Sequence, residues 1–301
     1  MVDLADVKGQ EHAKRALEVA VAGGHHILFV GPTGVGKTML AHAAASILPP
    51  LTPKELGTYQ MELWEGDHHR PFHSLSHGVT VAALLAGADG ALPEAAQAHR
   101  GVLLLDDLPL FRPSVLAALR EVLDNRRAGS YPASFILIAT MNACPCGLLE
   151  DPRASCRCSP REIARWWKRV PTPLLDRIEI HVQMPPVSPD RLLATREGEP
   201  AEAVRQRIER ARRIQATRFE GTPVCYNAEM PVEMVERFCS LDDAGQGLMK
   251  ALARQMAVTA RVCYNILRVA RTIADLAGAE KIETPHLAEA IQYRPRQSVW
   301  R

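Results

Sequence analysis

The hydrophobic pattern changes period several times along the chain, and each change marks an element. From Gln10 to Ala22 the apolar residues Ala13, Ala16, Leu17, Ala20 and Val21 recur at helical spacing, and Gly23-Gly24 follows where such a helix would stop. Ile27 to Val30 is an unbroken apolar run closed by a glycine turn, the pattern of a buried strand. Val102 to Leu105 and Phe135 to Ala139 repeat it, whereas Ile178 to Val182 alternates. Short apolar strands separated by helical stretches predict an α/β fold, a parallel sheet flanked by helices. Between Leu51 and Ala98 the pattern is poor, with many His, Gly and Pro residues, so loops and short elements carried on the sheet are expected there.

The character changes at Pro185-Pro186-Val187-Ser188-Pro189, where three prolines in five residues resist both helix and central strand and suggest a linker. Beyond it the chain reads as helix over Ala201 to Thr217, Pro231 to Cys239, Gly247 to Ala257, Thr259 to Ala277 and Pro285 to Gln292. The expected division is an α/β domain over residues 1–186 and an all-helical domain over residues 187–301. A chain of 301 residues has room for two such units.

Composition narrows the function classes. With 47% hydrophobic and 23% charged residues the chain is ordinary globular material, and a formal charge of +2 excludes nucleic-acid binding by overall charge, leaving only a local patch. The segment Met1 to Lys8 has no basic stretch leading into an apolar one, and no apolar run approaches about 18 residues, so neither a secretory signal nor a membrane span is expected. The seven cysteines are odd in number, and four are bunched between Cys144 and Cys158, unlike a secreted disulfide framework. A reduced, cytoplasmic protein is the expectation.

The chemistry begins at Gly31-Pro32-Thr33-Gly34-Val35-Gly36-Lys37-Thr38, a complete G-x-x-x-x-G-K-[ST] motif between the strand Ile27 to Val30 and the helical run Met39 to Ile47. Such a loop turns backbone amides around the β-phosphate of ATP at the positive end of the helix dipole. Lys37 would bridge the β- and γ-phosphates, and the Thr38 hydroxyl would ligate Mg²⁺. Val102-Leu103-Leu104-Leu105-Asp106-Asp107 supplies carboxylates at the end of a second buried strand, where open α/β sheets bind ligands. Asp106 would complete the Mg²⁺ shell and Asp107 would polarise the attacking water. A solvated Asp-Asp turn is the plainer reading, and the P-loop upstream weighs against it.

With those motifs in place, the chain resembles the magnesium-chelatase-like AAA+ ATPases, most closely the ATPase and lid portion of ComM-type proteins. The resemblance runs through Asp6 to Leu17, Ala22 to His26, Met141-Asn142-Ala143-Cys144-Pro145-Cys146-Gly147, Leu174-Leu175-Asp176-Arg177-Ile178, Val269 to Leu276 and His286 to Ile291. It implies a P-loop AAA+ domain followed by a helical lid. It also implies roles: Asn142 as the sensor 1 amide beside the γ-phosphate, Arg177 as an arginine finger reaching a neighbouring subunit's nucleotide, and Arg261 as sensor 2 on the lid, with Arg268 seven residues on. An arginine acting in trans needs a ring, so the resemblance implies a homo-oligomer, a hexamer, with ATP between subunits. Each of these residues has a plainer alternative: a strand-end cap for Asn142, and surface charges for the arginines.

Cys144-Pro145-Cys146 and Cys156-Arg157-Cys158 form two C-x-C pairs that four thiolates could close around Zn²⁺. C-x-C is tighter than the usual C-x₂₋₄-C spacing, and reduced thiols in an ordered loop, or a disulfide under oxidising conditions, are the competing readings. Cys225, Cys239 and Cys263 read as small buried apolar residues. The arginines Arg205, Arg207, Arg210, Arg212, Arg213 and Arg218 form either a DNA-facing ridge or, as favoured here, a solvated helix face. Trp166-Trp167 reads as a packing anchor in preference to a base-stacking platform. His68, His69, His73 and His77 lack ligand spacing.

Two departures from the family pattern bear on function. Asp106-Asp107 stands where the family has Asp-Glu, and one missing methylene withdraws the second carboxylate by about 1 Å, enough to cost on the order of 10²-fold in rate. The stretch from Arg120 to Phe135 is shorter than its family counterpart, so a pore hairpin after Asp124 is expected to be missing. The chain also begins where the ATPase domain begins, without the amino-terminal domain of ComM-type proteins, which leaves it part of a longer protein or a naturally short relative. Three functions follow: a DNA-remodelling ring motor acting in branch migration, a chelatase-type motor subunit for metal insertion into a tetrapyrrole, and a slow or inactive nucleotide-gated interaction protein.

Overall fold

The computed structural model describes residues 2–57, 70–87, 91–193, 198–256 and 259–294. In chain order the strands are β1 (Ile27–Val30), β2 (Phe72–Ser74), β3 (Val102–Leu105), β4 (Arg127–Ala128), β5 (Tyr131–Pro132), β6 (Ile136–Met141) and β7 (Ile180–Gln183). Five of them form one parallel sheet in the order β2-β3-β6-β1-β7. Crossing over in this way brings the carboxyl ends of β1, β3 and β6 side by side.

Period-two alternation divides each strand between two cores. Ile27 and Phe29, Val102 and Leu104, Ile136 and Ile138, and Ile180 and Val182 face one layer of helices. Leu28 and Val30, Leu103 and Leu105, and Leu137, Ala139 and Met141 face the other. Both faces are covered, which is why the central strands read as continuous apolar runs.

The helix Glu11–Gly23 ends where Gly24 adopts φ 73, a left-handed cap that glycine enters freely. Beyond the sheet the chain is helical: Pro189–Leu193, Ala201–Arg218, Val232–Phe238, Asp243–Met256, Ala260–Leu276 and Thr284–Gln292. This helical part packs on the Glu11–Gly23 and Lys37–Ile47 helices and shares their core, one cluster running from Phe29 and Leu40 through Ile208 and Phe219 to Ile273 and Tyr293. Its polar ties are specific. Arg212 donates to Val21 O at 2.7 Å, Gln215 to Ala22 O at 3.0 Å, and Arg207 to Glu18 at 2.6 Å.

Those ties divide the arginine-rich helix: Arg210 and Arg213 are exposed, as a solvated face requires, whereas the other four arginines are held by partners. Arg205 pairs with Glu202, Arg207 with Glu18 and Glu199, and Arg218 with Asp275, while Arg212 stacks over Tyr226. Among its described residues the poorly patterned stretch holds one strand of the sheet, β2, at its edge, and His68 and His69 lie outside the described residues. The expected loss of the hairpin after Asp124 needs correcting. β4 and β5 form an antiparallel hairpin there, cut to two residues a side around Gly129-Ser130. No helix among the described residues is long and apolar enough to cross a membrane.

Candidate nucleotide site

β1 delivers the chain to Gly31, and the helix Lys37–Ile47 receives it at Gly36. Gly34 and Gly36 have φ 79 and 93 with open space where a Cβ would be, so the loop's turn needs glycine for conformation, not for room. Gly31 differs: a Cβ would lie 2.4 Å from Met184 O, because β7 passes close behind. Two loop amides are tied to β6 and the segment after it, Gly31 N to Met141 O at 3.3 Å, extending the β1–β6 ladder, and Thr33 N to Gly147 O at 2.8 Å. Pro32 and Val35 are buried, whereas Thr33 is exposed.

Lys37 is buried, and its ammonium donates to Gly31 O, Pro32 O and Asn142 Oδ1 at 2.9, 2.7 and 2.8 Å. Burial pulls its pKa below the usual lysine value, opposed by the charges of Asp107 and Asp106. Next to it, Thr38 Oγ1 lies 2.9 and 3.1 Å from the two Asp106 carboxylate oxygens. A hydroxyl and a carboxylate this close can share one hard cation, the oxygen donor set that Mg²⁺ takes.

Asp106 is positioned from two sides. Thr140 on β6 donates its hydroxyl to Asp106 Oδ1 at 2.6 Å and accepts Asp107 N at 2.9 Å, and His77 Nε2 sits 2.7 Å from Asp106 O. Asp107 follows in the left-handed region, φ 51 and ψ 63, and Asn142 Nδ2 donates to its Oδ1 at 3.3 Å. Burial, and then the neighbouring Asp106, raise the Asp107 pKa above the usual carboxylate value, against the opposing pull of Lys37 and His77. Asn142 therefore touches both Lys37 and Asp107. Sequence motifs 31–38, 106–107 and 142 converge on one place.

The two tryptophans hold the backbone after Asn142. Trp166 Nε1 donates to Asn142 O at 2.8 Å, and buried Trp167 donates to Ala143 O at 3.0 Å. This is the anchoring role that the sequence favoured over base stacking. The ligand atoms of Cys144, Cys146, Cys156 and Cys158 lie within 4.8 Å of one another, with sulfur separations of 3.4 Å (Cys144–Cys146), 3.6 Å (Cys146–Cys156) and 3.6 Å (Cys144–Cys156). A disulfide needs about 2.05 Å. Zn–S bonds of about 2.3 Å put tetrahedral sulfurs about 3.8 Å apart, close to what is seen. Within the group the Leu148 amide draws the Cys146 thiol down to about 6. Cys158 is pushed up to about 12, although the Cys146 amide works the other way, by the neighbouring thiols and by burial.

Arg177 and Arg261 lie elsewhere. Arg177 precedes β7, and its guanidinium donates to Asp124 through Nε and Nη2, both at 2.8 Å. Arg261, on the helix Ala260–Leu276, is 3.7 Å from the same carboxylate. Both line a cavity of about 590 Å³ with His26, Ser134 and Glu179, residues that precede β1, β6 and β7. That is the amino edge of the sheet, a strand's length of about 13 Å from the P-loop edge. Arg268 lines the same cavity and donates twice to Met230 O, at 2.9 and 2.7 Å, which makes it a structural tie as well.

Comparison with known proteins now bears on this geometry. The family model described as magnesium chelatase, subunit ChlI, matches residues 3–192, and the model of the ChlI C-terminal region matches residues 198–294. The chain belongs to the magnesium chelatase ChlI family. Competence protein ComM of Haemophilus influenzae is 37% identical over 97% of this chain and 60% of its own length. The uncharacterized protein YifB of Escherichia coli is 36% identical over the same shares, and Rv2897c of Mycobacterium tuberculosis is 38% identical over 97% of this chain and 61% of its own. The chain thus spans about three fifths of the length of these relatives. This AAA+ family assignment agrees with the parallel sheet and helical region described above.

Four residues of this ChlI-family site were not singled out by motif reasoning. Thr140 could have been noticed as the one hydroxyl in the run Ile136-Leu137-Ile138-Ala139-Thr140-Met141. His77 and Asp124 carry no local signal, and Gly147, though within the Met141 to Gly147 motif, none for its role, because each acts on a partner at least 29 residues away: Asp106, Arg177 and Thr33.

Proposed function

We propose that this ChlI-family chain binds and hydrolyses ATP as part of a homo-oligomeric ring, a hexamer, that remodels DNA. The observation that carries the nucleotide reading is one connected network: Thr38 on Asp106, Lys37 on Asn142, and Asn142 on Asp107. In it the amides of Gly34 to Thr38 and the Lys37 ammonium hold the phosphates, Thr38 and Asp106 hold Mg²⁺, and Asp107 accepts the proton of the attacking water, which Asn142 orients. Bound Mg²⁺ supplies neutralising charge at the phosphates. The four thiols are read as a structural Zn²⁺ site, with no ligand position left for chemistry.

Arg177 and Arg261 stand at the sheet edge opposite their own P-loop, which supports a role on a neighbouring subunit's nucleotide and hence a ring. DNA as the substrate follows from the resemblance to ComM-type proteins, and the surviving β4–β5 hairpin is the element read as meeting it. The test is steady-state ATP turnover with and without single-stranded, duplex and branched DNA, beside a mass measurement in nucleotide. Turnover that rises with DNA and falls steeply with salt, in an assembly of six chains, is the expected result. Turnover indifferent to every DNA form removes the DNA part, and a monomer in nucleotide removes the ring.

A further inference from the structure

The nucleotide site and the four-cysteine loop are built from a single stretch of backbone. Along it, Met141 O accepts from Gly31 N, Asn142 reaches Lys37 and Asp107, Cys144 supplies the first thiol, and Gly147 O accepts from Thr33 N. Gly147 turns at φ 74, and a Cβ on it would lie 2.0 Å from Thr33 Oγ1, so the turn sits against the P-loop without slack. Its inner side is fixed by the Trp166 and Trp167 indoles, by Gly147 N on Cys144 O at 3.1 Å, and by Leu149 N on Cys144 Sγ at 3.3 Å. Its outer side is held through exposed Cys146, whose sulfur meets Cys144, Cys156 and Cys158 and accepts from the Leu148 and Arg157 amides. Neutral thiols attract one another weakly, whereas four thiolates around a dication hold a loop with folding-scale free energy.

We infer that the four thiols bind one Zn²⁺ and that this ion clamps the 141–147 segment onto the P-loop, so that zinc occupancy sets affinity for nucleoside triphosphate. The inference rests on the reading of the P-loop as the nucleotide site. Zinc is then remote from the chemistry yet governs the amide tie at Thr33 and the placement of Asn142 beside Lys37, the Gly31 tie being held by the β1–β6 ladder. The clamp acts on binding before any turnover.

The test measures zinc content by elemental mass spectrometry and titrates a fluorescent ATP analogue with Mg²⁺ into the full chain. It does so as purified, after zinc removal by a thiol-competing chelator, and after return of zinc alone. Expected are one zinc per chain, affinity weakened about 10- to 100-fold on removal, the effect of one lost charge-assisted hydrogen bond, and recovery on return. The double variant Cys156→Ser, Cys158→Ser, outside the 141–147 segment, should show the same loss without chelator, while Gly147→Ala should keep zinc and lose affinity. Purified chain without zinc overturns the site, and unchanged affinity without zinc, or a loss that zinc does not reverse, overturns the clamp. Zinc-bearing wild type with no affinity for nucleotide overturns the nucleotide reading instead.

Discussion

Asp107 reaches its place through backbone that most residues avoid, the left-handed region at φ 51 and ψ 63, which Asp enters more readily than Glu. The shorter carboxylate therefore suits the turn while standing about one methylene further from the reacting water. Asp107→Glu is expected to raise ATP turnover, by on the order of 10-fold or more if reach limits the rate, and to lower the melting temperature slightly. Turnover that stays level or falls shows that reach is not limiting. Lys37→Ala should abolish nucleotide binding in a fluorescence titration, since Lys37 is the cation through which Asn142 joins the loop. At this scale the sequence is most legible where the chemistry is contiguous. Residues 31–38 and 106–107 announce themselves as motifs, but the Thr140 hydroxyl that aligns Asp106 is 34 residues from it and has no spacing to betray it.

Among the elements, β1 and β3 run where their apolar runs end, because a strand buried on both faces has no polar position to blur its limits. β2 and the β4–β5 hairpin escape the same reading for opposite reasons. β2 is a three-residue edge strand, Phe-His-Ser, exposed enough to tolerate polar side chains, and the hairpin is too short to build a period. The long helices were legible from their spacing, yet nothing in that spacing told which partner each would cover. Gln215 shows how the choice is enforced. Fully buried on the helix Ala201–Arg218, it donates to Ala22 O at 3.0 Å and accepts from Asn227 N at 2.9 Å, joining the helical part to the end of the Glu11–Gly23 helix. Gln215→Leu keeps the volume and strands both backbone groups, at about 1–3 kcal/mol each. Thermal unfolding should show a drop of several degrees, and a melting temperature within one degree of wild type would show that the groups find other partners.

Two edges of the whole molecule matter at once, one presenting a P-loop and the other presenting Arg177 and Arg261 on Asp124. If rings form as proposed, Arg177→Ala should leave nucleotide affinity unchanged and cut turnover by about 10³-fold or more. Mixing it with Lys37→Ala chains should then restore part of the turnover, because each variant supplies the edge the other lacks. No recovery on mixing would place the arginine's action within its own subunit. The same packing sets how the fold meets acid. His25 and His181 are buried and neutral, burial lowering each to about 3, helped by His26 and Arg268 around the first and by Arg294 near the second. A histidine whose pKa falls on folding supports the native state fully above its unfolded value of about 6.5 and withdraws that support as pH drops toward 3. Glu55 is raised by burial but carried down to about 2 by the hydrogen bonds and charge of Arg70, so its contribution holds above about 4.5 and is lost below. Melting temperatures should accordingly be level above pH 7, decline from about pH 6.5, and fall more steeply below about 4.5. His25→Gln, which can still meet the Thr272 hydroxyl that His25 holds at 2.8 Å, should flatten the decline between pH 6.5 and 4.5. A melting temperature unchanged from pH 7.5 to 5 in the wild type would mean that these imidazoles are reached by water, and that the shared core between sheet and helical part is looser than its geometry implies.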